Sequence, residues 1–415
     1  MNTQPLTIEE AQRLVLEAVD PLPAELIPLG DCTGRILAED LYADADLPAF
    51  DRSMMDGFAV RSADTAAACP DRPAYLTVIA EIAAGEDPVR PVGPGEAARI
   101  MTGAPIPPGA DAVCRFEATS DGFRKNVPRV GVLKPTSEGE NIARRGEDIS
   151  RGGRVLTKGT RLGSGAAAVL ASFGRAEVSV YRRPSVAIFT AGSELVEITE
   201  QPGRGQIRSS NGWMLAALVR EAGGLPRLAK PVPDGIDELA AAVTSEGEGA
   251  DLLVTTGGVS VGDYDLIPAV YERLGARTVF WKTQIRPGSP VRFALRGRQP
   301  VLGVSGNPAA AFVNALLFVV PVLRKMAGLP DPLPPTVQAV SVSGFPKPPI
   351  KPVRYLQAHA YLQEGRLLVE LACGQSAGMI GSLAGTNALV RLPGGASLRE
   401  GDLADVLLYG EVRSK

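Results

Sequence analysis

The sequence predicts a multidomain protein of mixed α/β and β structure, in which a mostly parallel α/β domain is flanked by smaller β domains. Strand-like and helix-like segments alternate between residues 185 and 326, as is typical of a parallel sheet with helices on both faces. Short β-like runs punctuated by proline and glycine occupy residues 75–132 and 337–408, which predicts a β domain on each side. With 415 residues, 45% of them hydrophobic, the chain can bury several separate cores.

The composition limits the partners and the kinds of metal site. A net charge of −3 provides no broad positive field, so nucleic acid and anionic membranes are not expected as partners, and any anion must bind locally. The single histidine, His359, excludes a multi-histidine metal site, so a bound metal would be a hard cation on oxygen ligands. Four widely spaced cysteines are typical of reduced thiols in a cytosolic protein: Cys32, Cys69, Cys114 and Cys373.

The chain shows no signal for export or membrane insertion. Its first residues lack the basic and apolar regions of a secretion signal, so we expect a cytoplasmic protein. The best candidate for a membrane span, residues 309–323, is too short and is interrupted by Asn314 and Pro321, which favours a buried helix.

The N-terminal region combines one regular helix with irregular polar segments. Residues 7–19 are predicted to form an amphipathic helix that begins with a capping box of Thr7 and Glu10. Residues 46–60 mix carboxylates, an arginine and methionines, which is unusual for a linker. The segment 141–149 places two basic and two acidic residues around a glycine, for which a solvated turn is the simpler explanation.

The central α/β domain is predicted from apolar runs and helical periodicity. Buried strands are expected over residues 185–190, 251–254, 279–281 and 301–304. Helices are expected over residues 211–222, 236–243 and 309–326, and from residue 266 onward. Because ligands bind at the carboxyl ends of the strands in such sheets, the loops that follow the strands are the expected site.

Three of these loops converge in principle: residues 191–194, the loop that begins with Gly257 and Gly258, and residues 305–308. The two glycines allow backbone N–H groups to approach a ligand closely, and Asp265 can cap the helix that begins at Leu266. A tight turn with an ordinary N-cap explains the glycine loop equally well when that loop is taken alone. The convergence of three loops favours an anion site.

Five motifs stand in a specific order along the chain: D-R-S-M-M-D-G at 51–57, M-T-G-A-P at 101–105, R-G-E-D-I at 145–149, T-G-G-V-S-V-G at 256–262 and G-N-P at 306–308. On these motifs the chain resembles the molybdopterin molybdenumtransferase family, the MoeA-type enzymes related to the gephyrin E domain. The resemblance covers essentially the whole chain. The glycine loop alone is also similar to molybdopterin adenylyltransferases, which act one step earlier, and the N-terminal motifs separate the two families.

The resemblance implies a cytoplasmic homodimer of four-domain subunits, with a site between the α/β domain of one subunit and the second domain of its partner. The implied domains are a split N-terminal domain I (1–43 and 141–181), a small β-rich domain II (44–140), a molybdopterin-binding-like α/β sandwich domain III (182–328) and a β-barrel-like domain IV (329–415). Implied protein partners are a molybdopterin adenylyltransferase and apo-molybdoenzymes or their chaperones.

The implied reaction is the insertion of molybdate into adenylylated molybdopterin, with Mg²⁺-dependent cleavage of the pyrophosphate link and release of AMP. Mg²⁺ on carboxylates would neutralise the pyrophosphate where its bond breaks. The implied metal ligands are Glu194, Asp234 and Asp265, which are joined by Asp56, Thr102 and Asp148 in the implied catalytic set. The implied pterin-, phosphate- and oxyanion-binding residues are Gly257, Gly258, Ser260, Asp263, Lys282, Arg286, Gly306, Asn307, Pro308, Ser376 and Ser382.

Structural roles compete with these functional ones at the metal ligands. Asp265 could serve only as a helix N-cap, Asp234 as a turn residue after Pro233, and Glu194 as a partner of a helix dipole.

Several positions depart from the family pattern. Molybdate is a tetrahedral dianion that needs cationic donors, for which Lys282 and Arg286 are the candidates. The family usually has lysine at the position of Arg286 and another near Ser289, so one cation is lost and one has a different geometry. Further departures are Ser305, Val353 and His359. They leave two alternatives, a non-catalytic or tungstate-preferring paralogue and an adenylyltransferase.

Overall fold

The structure is a computed structural model that describes residues 4–120, 123–258 and 266–415. The chain divides into two compact units. Unit 1 comprises Met1–Glu39, Gly159–Ser164 and Glu177–Lys415, and unit 2 comprises Asp40–Lys158 and Gly165–Ala176. The bounds of the four expected domains stay a prediction.

The N-terminal helix of unit 1 spans Ile8–Glu17 and starts as predicted. The N–H of Glu10 donates to Thr7 Oγ1 at 3.2 Å, and the N–H of Thr7 donates to Glu10 Oε2 at 3.0 Å, which completes the capping box. The helix buries Ile8, Ala11 and Val15 in the core on one face of the central sheet. A pair of antiparallel strands, Ala24–Pro28 and Glu177–Tyr181, and a short 3₁₀ turn at Leu29–Asp31 complete this end of unit 1.

The central sheet of unit 1 has six strands and is mixed. In spatial order they are Leu225–Leu228, Ser185–Thr190, Leu252–Thr256, Gln299–Val304, Arg292–Arg296 and Arg277–Trp281. The first four pair in parallel, which agrees with the mostly parallel sheet that was predicted. The last two, Arg292–Arg296 and Arg277–Trp281, add antiparallel pairs at one edge, and the second of them contains the predicted strand 279–281. Neither Leu225–Leu228 nor Arg292–Arg296 was predicted, because the first contains Pro226 and the second carries an arginine at each end.

Helices cover both faces of the central sheet, as predicted. On one face lie Asn211–Glu221 and the continuous helix built from Pro308–Asn314, the π-helical segment Ala315–Val319 and Val320–Met326. On the other face lie Ile236–Glu246 and Ile267–Arg273. Successive strand residues alternate between the two cores, with Val186 and Ile188 in one and Ala187 and Phe189 in the other.

The helix Pro308–Met326 is the one helix in the described part of the chain that is long and apolar enough to cross a membrane. Its most apolar window is 89% buried inside unit 1, which agrees with the buried helix predicted from its length.

The C-terminal part of unit 1 forms a sheet that closes on itself. Each of its five main strands pairs with two others of the set, in the cyclic order Val353–Gln363, Arg366–Leu371, Thr336–Ser341, Leu403–Leu408 and Ala388–Leu392. Two short strands, Ile285–Arg286 and Arg413–Ser414, also pair with Val353–Gln363. A barrel-like β domain was predicted here, although its longest strand, Val353–Gln363, was missed. A 3₁₀ turn spans Gly381–Leu383.

Unit 2 is built on a five-stranded sheet in the order Ala112–Arg115, Gly57–Val60, Glu96–Ile100, Ala74–Ile82 and Arg129–Val132. Two small antiparallel pairs join Arg52–Ser53 to Ile142–Ala143 and Leu41–Tyr42 to Arg154–Leu156. The remaining elements are the helices Ser62–Thr65 and Ser164–Ser172 and the 3₁₀ turn Phe116–Ala118. The small β-rich fold expected for this part of the chain is confirmed.

The core of unit 1 predicts the effect of one deletion. Phe318 is 1% exposed and packs on Phe280 with ring centroids 6.3 Å apart. We expect Phe318→Ala to lower the free energy of unfolding by about 3–5 kcal/mol, because the lost ring leaves a cavity that a helix and a sheet cannot close. Urea unfolding followed by tryptophan fluorescence measures the change. The control Leu403→Ala, at a side chain 69% exposed, should stay within about 0.5 kcal/mol of wild type, and equal effects of the two variants would contradict the packing described here.

Candidate functional site

The three loops predicted to converge do meet at the carboxyl ends of the parallel strands, where they line a cleft of about 680 Å³, here cleft A. They follow the strands Ser185–Thr190, Leu252–Thr256 and Gln299–Val304. The residues lining cleft A that were predicted from the sequence are Glu194, Asp234, Gly257, Gly258, Gly306, Asn307 and Pro308. Its other lining residues include Arg208, Ser209, Ser210, Asn211, Gly378 and Ile380.

Glycine is required where the loops approach one another. Gly257 has φ +89°, and a Cβ at this position would lie 2.1 Å from the carbonyl oxygen of Ala191. A Cβ at Gly306 would in turn lie 3.3 Å from the Cα of Gly257. Two adjacent loops therefore pack on the backbone of Gly257 with no room for a side chain between them.

One residue that sequence reasoning missed, Asn211, ties the loops together. Its Nδ2 donates to Thr256 Oγ1 at 3.0 Å and to the carbonyl oxygen of Gly306 at 2.8 Å. Thr256 Oγ1 donates in turn to the carbonyl oxygen of Ser305 at 2.8 Å. In the sequence, Asn211 stands at the start of a helix and follows two serines. Asparagine and serine are common at helix starts that have no functional role, so this position gave no clear signal.

Two carboxylates border cleft A. Asp234 Oδ2 accepts a hydrogen bond from the N–H of Ser193 at 2.9 Å, and Ser193 Oγ accepts one from the N–H of Asp234 at 3.1 Å. Glu194 turns back over its own loop, since a Cβ at Gly192 would meet its Oε2 at 2.7 Å. Both carboxylates are exposed to the cleft, which contains one cation among its described lining residues, Arg208.

The donor set fits a magnesium ion that is shared with a phosphate ligand. No group of three or more histidine, cysteine or acidic residues is placed to hold a metal in the described part of the chain. Mg²⁺, however, is usually bound by one or two carboxylates together with substrate phosphates and water, and Glu194 and Asp234 supply two.

Three predicted residues of the glycine loop, Ser260, Asp263 and Asp265, lie outside the described residues. The helix after the loop is Ile267–Arg273, with Leu266 at the N-cap and no side-chain cap bond. The helix thus begins one residue later than the predicted start at Leu266, and the predicted cap, Asp265, is among the residues that the structure does not describe.

A second cleft, cleft B, has a volume of about 510 Å³ and shares Asn307 with cleft A. Its charged lining residues are all basic: Arg286, Lys347 and Arg354. The side chain of Arg354 is mostly buried, with the residue 8% exposed, and its Cζ lies 5.0 Å from the centre of the Phe345 ring. Its Nη1 has no hydrogen-bond partner within the described ranges.

The predicted residues near cleft B separate into lining and non-lining positions. Arg286 and Ser376 line the cleft. Ser382 does not, because its Oγ donates to Gln357 Oε1 and to the carbonyl oxygen of Met379. Lys282 lines neither cleft A nor cleft B, and its Nζ lies 4.3 Å from the centre of the Trp281 ring. The structure thus does not bring Lys282 and Arg286 into one cleft. Sequence reasoning missed Arg354 and Lys347, because a single basic residue in a sequence does not indicate a binding site.

The residues at the positions that depart from the family pattern make contacts within the fold. Ser289 Oγ donates to the carbonyl oxygen of Thr283 at 2.7 Å, and Ser305 Oγ accepts from the N–H of Asn307 at 3.2 Å. Val353 pairs with Ile285 in the closed sheet, and His359 stacks on Tyr361 with ring centroids 5.7 Å apart. Ser305 is therefore the departure that acts directly on a loop shared by clefts A and B.

In unit 2 the structure brings Asp56 and Thr102 together. Asp56 Oδ1 accepts from the N–H and from the hydroxyl of Thr102, each at 2.7 Å. These two bonds, the backbone one first, lower the pKa of Asp56 below its usual value. Asp148 is exposed and, within the described residues, its side chain has no ion pair or hydrogen bond.

The turn before Asp148 is held by two ion pairs that the sequence did not predict. Arg144 Nη1 lies 2.8 Å from Asp51 Oδ2, and Arg145 Nε lies 2.7 Å from Asp46 Oδ2. The pKa of Asp51 is lowered chiefly by the N–H of Arg145 and next by the Arg144 side chain, so the carboxylate stays ionised. The charged residues around Gly146 thus form an exposed turn, like the solvated turn that the sequence favoured, and ion pairs join it to Asp46 and Asp51.

The contact between Asp56 and Thr102 predicts a measurable shift. We expect Thr102→Val to raise the pKa of Asp56, but only part of the way to its usual value, because the hydroxyl bond is lost while the stronger backbone bond remains. Carboxyl ¹³C NMR titration of the two proteins measures the change. Asp51, whose partners are Arg144 and Arg145, serves as the internal control and should titrate unchanged. An unaltered Asp56 pKa would show that the hydroxyl contributes nothing to holding the charge.

The chain is similar to known proteins along almost its whole length. Three family models match in order: "MoeA N-terminal region (domain I and II)" over residues 6–174, "Probable molybdopterin binding domain" over residues 187–325 and "MoeA C-terminal region (domain IV)" over residues 345–409. A molybdopterin molybdenumtransferase of Bacillus subtilis is 42% identical over 410 residues, which cover 98% of this chain and 95% of the relative. The enzyme of the same name from Staphylococcus aureus is 38% identical, with 97% and 96% covered.

Solved structures agree with these matches. The molybdopterin biosynthesis MoeA protein of Pyrococcus horikoshii aligns with a TM-score of 0.84 at 31% identity and covers 98% of this chain and 100% of its own. A molybdenum cofactor biosynthesis protein of Pyrococcus furiosus aligns with a TM-score of 0.61 at 22% identity, with 98% and 100% covered, and supports the fold alone.

Proposed function

The chain belongs to the MoeA family, and on this premise we propose that it is a molybdopterin molybdenumtransferase, which inserts molybdate into adenylylated molybdopterin to give molybdenum cofactor. One feature of the molecule carries the proposal. A glycine-lined cleft with two carboxylates adjoins a cleft whose charges are all basic, and the two clefts share Asn307. One suits a nucleotide with its metal, and the other suits an oxyanion.

Cleft A is proposed to bind the pyrophosphate of the adenylylated pterin. The close approach of its loops at Gly257 and Gly306 gives backbone access to the phosphates without intervening side chains. Glu194 and Asp234 would hold Mg²⁺, joined by Asp265 on the evidence of the sequence. The bound metal would neutralise the pyrophosphate and act as a Lewis acid as AMP leaves. Arg208, the cation at this cleft, would offset the remaining phosphate charge.

The link between the two phosphorus atoms opens by addition of one water, so that AMP leaves with one phosphate and the pterin keeps the other. On the family resemblance, the protein is proposed to act as a cytoplasmic homodimer, in which Asp56, Thr102 and Asp148 complete the site of the partner. The two hydrogen bonds that keep Asp56 ionised suit a carboxylate that works close to a cation.

The carboxylates of cleft A predict the first test. We expect Glu194→Gln and Asp234→Asn each to reduce AMP release from adenylylated molybdopterin by about 100-fold, because a cation that stabilises the breaking pyrophosphate is lost. Release is measured by chromatography of purified protein with Mg²⁺ and molybdate. The matched control is Glu197→Gln, three residues after Glu194 but outside the lining of cleft A, and it should retain wild-type turnover.

The same assay separates the alternatives. Molybdate-stimulated AMP release establishes the transferase, and a tungstate arm reports the oxyanion preference. A protein that consumes ATP with unmodified molybdopterin and does not need Asp56 would be an adenylyltransferase. A folded protein that binds the nucleotide but releases no AMP with either oxyanion would be a non-catalytic paralogue. Either of the last two results would reject the proposal.

Cleft B is proposed to bind molybdate. Burial of a guanidinium group costs folding free energy when one of its N–H groups has no hydrogen-bond partner, and a bound anion removes this cost. Among the described residues, Arg354 is mostly buried and its Nη1 has no partner. Arg286 and Lys347 add two more cations at the same cleft. Together they offer a tetrahedral dianion the charge-assisted hydrogen bonds that it requires. Arg286 therefore keeps its predicted role, whereas the role of Lys282 stays a prediction without support from either cleft.

Cleft B predicts a selective loss of oxyanion affinity. We expect Arg354→Gln and Arg286→Gln to raise the KM for molybdate by about 10- to 100-fold, since each removes one charge-assisted hydrogen bond. The KM for the nucleotide should change little, because neither residue lines cleft A. Initial rates of AMP release at varied molybdate measure the effect. Lys351→Gln, an exposed charge three residues before Arg354, is the control, and an unchanged KM in Arg354→Gln would place molybdate elsewhere.

A further inference from the structure

A third cleft in unit 1, cleft C, has four arginines among its twelve lining residues and shares no lining residue with clefts A or B. Its volume is about 200 Å³. Its charged lining residues are Arg35, Arg161, Arg183, Arg220 and a single carboxylate, Glu221. Neither the family motifs nor the proposed reaction uses any of these residues.

The arginines of cleft C differ in how their charge is balanced. Arg35 is 8% exposed and donates to Glu25 and to the carbonyl oxygen of Tyr181, so its charge is paired. Within the described ranges, Arg161, Arg183 and Arg220 make no ion pair and no side-chain hydrogen bond. At most one of these three charges can be offset by Glu221, which leaves a local excess of positive charge in a chain that is negative overall.

A fourth uncompensated arginine lies beside the cleft. Arg324 is half-buried near the end of the helix Val320–Met326 and, in the described structure, has no ion pair. Its burial and then the charge of Arg161 lower the pKa of Arg324. The carbonyl oxygen of Arg324 accepts a hydrogen bond from the N–H of Leu329, which lines cleft C, so Arg324 adds a further positive charge next to the cleft.

Helix dipoles explain only part of this cluster. Arg220 and Arg324 lie in the last turns of their helices, where a cation is favoured by the partial negative charge of the helix end. Arg161 and Arg183 lie outside any helix, in the segments that flank the strand Glu177–Tyr181 and the helix Ser164–Ser172. Helix dipoles therefore do not explain why these two arginines lie in the same cleft as Arg220.

We propose that cleft C is a second anion site, which binds a small phosphate anion of two or more negative charges on Arg161, Arg183 and Arg220, with Arg324 beside the cleft. A planar guanidinium group can donate two parallel hydrogen bonds to phosphate oxygens. Several such groups around a small cleft favour anions that are small and highly charged. Pyrophosphate carries more charge than inorganic phosphate and is expected to bind more tightly. The site stands apart from the proposed transferase chemistry and does not depend on it.

The test combines calorimetric titration with thermal unfolding of the full-length protein. The probes are pyrophosphate and inorganic phosphate, with sulfate as a dianion that cannot gain further charge. Arg161→Gln and Arg324→Gln alter cleft C, Arg286→Gln alters cleft B, and Arg273→Gln changes an exposed helix arginine far from each lining set. The comparison of cleft B and cleft C variants separates the new site from the proposed oxyanion site.

We expect Arg161→Gln to weaken one class of pyrophosphate site at least tenfold, and Arg286→Gln and Arg273→Gln to leave that class unchanged. In anion-free buffer, Arg161→Gln should unfold at the same temperature as wild type or higher, because it removes one positive charge from a cleft with an excess of them. Pyrophosphate should then stabilise wild type and Arg273→Gln more than Arg161→Gln.

Three results would overturn the proposal. One is pyrophosphate binding that Arg286→Gln alone abolishes, which would leave no site at cleft C. Another is lower stability of Arg161→Gln in anion-free buffer with unchanged binding, which would make the arginines structural. The third is a change in oligomeric state without a change in anion binding, measured by sedimentation velocity, which would assign the arginines to a contact with a second copy of the chain.

Discussion

The candidate site depends on the backbone contact between Gly257 and Ala191. A Cβ at Gly257 would lie 2.1 Å from the Ala191 carbonyl oxygen, so the two strand-end loops can touch only because this residue has no side chain. Parallel strands bring their carboxyl ends to one edge of a sheet, but they do not by themselves bring the following loops into contact. The glycine supplies the contact with the Ala191 loop, and Asn211 joins the glycine loop to the third loop by bridging Thr256 and Gly306.

The same constraint extends to cleft B through Asn314. This residue is fully buried among the apolar residues 309–323 of its helix, where its Oδ1 accepts from the N–H of Ser305 at 3.3 Å and its Nδ2 donates to the carbonyl oxygen of Gly288 at 2.8 Å. A buried amide needs such partners, and here they are the loops that line the two clefts. The polar residue that argued against a membrane span in the sequence thus positions the wall that clefts A and B share.

Sequence reasoning predicted the features that repeat along the chain. The capping box at Thr7, the three parallel strands near residues 185–190, 251–254 and 301–304, and the three converging loops each depend on local patterns, and the structure contains all of them. The antiparallel strand Arg292–Arg296 and the long strand Val353–Gln363 were missed. These strands are stabilised by pairing with partners that are distant in the chain, and the pattern of their own residues does not indicate a strand. Arg354 and Asn211 were missed for the same reason, since burial and hydrogen bonding across the fold give them their roles.

The layout of charge follows from the problem that two anions must meet. In the proposed reaction a pyrophosphate-bearing pterin and molybdate both carry negative charge, and a single basic pocket would bind either one in place of the other. Cleft A instead has carboxylates suited to a metal, whereas cleft B has a mostly buried arginine. In the proposed reaction each anion would be neutralised by a different kind of cation, and Asn307, the residue common to both clefts, marks where the two anions would approach. Because the chain as a whole has a net charge of −3, this selectivity must come from local, partly desolvated groups and not from a general positive field.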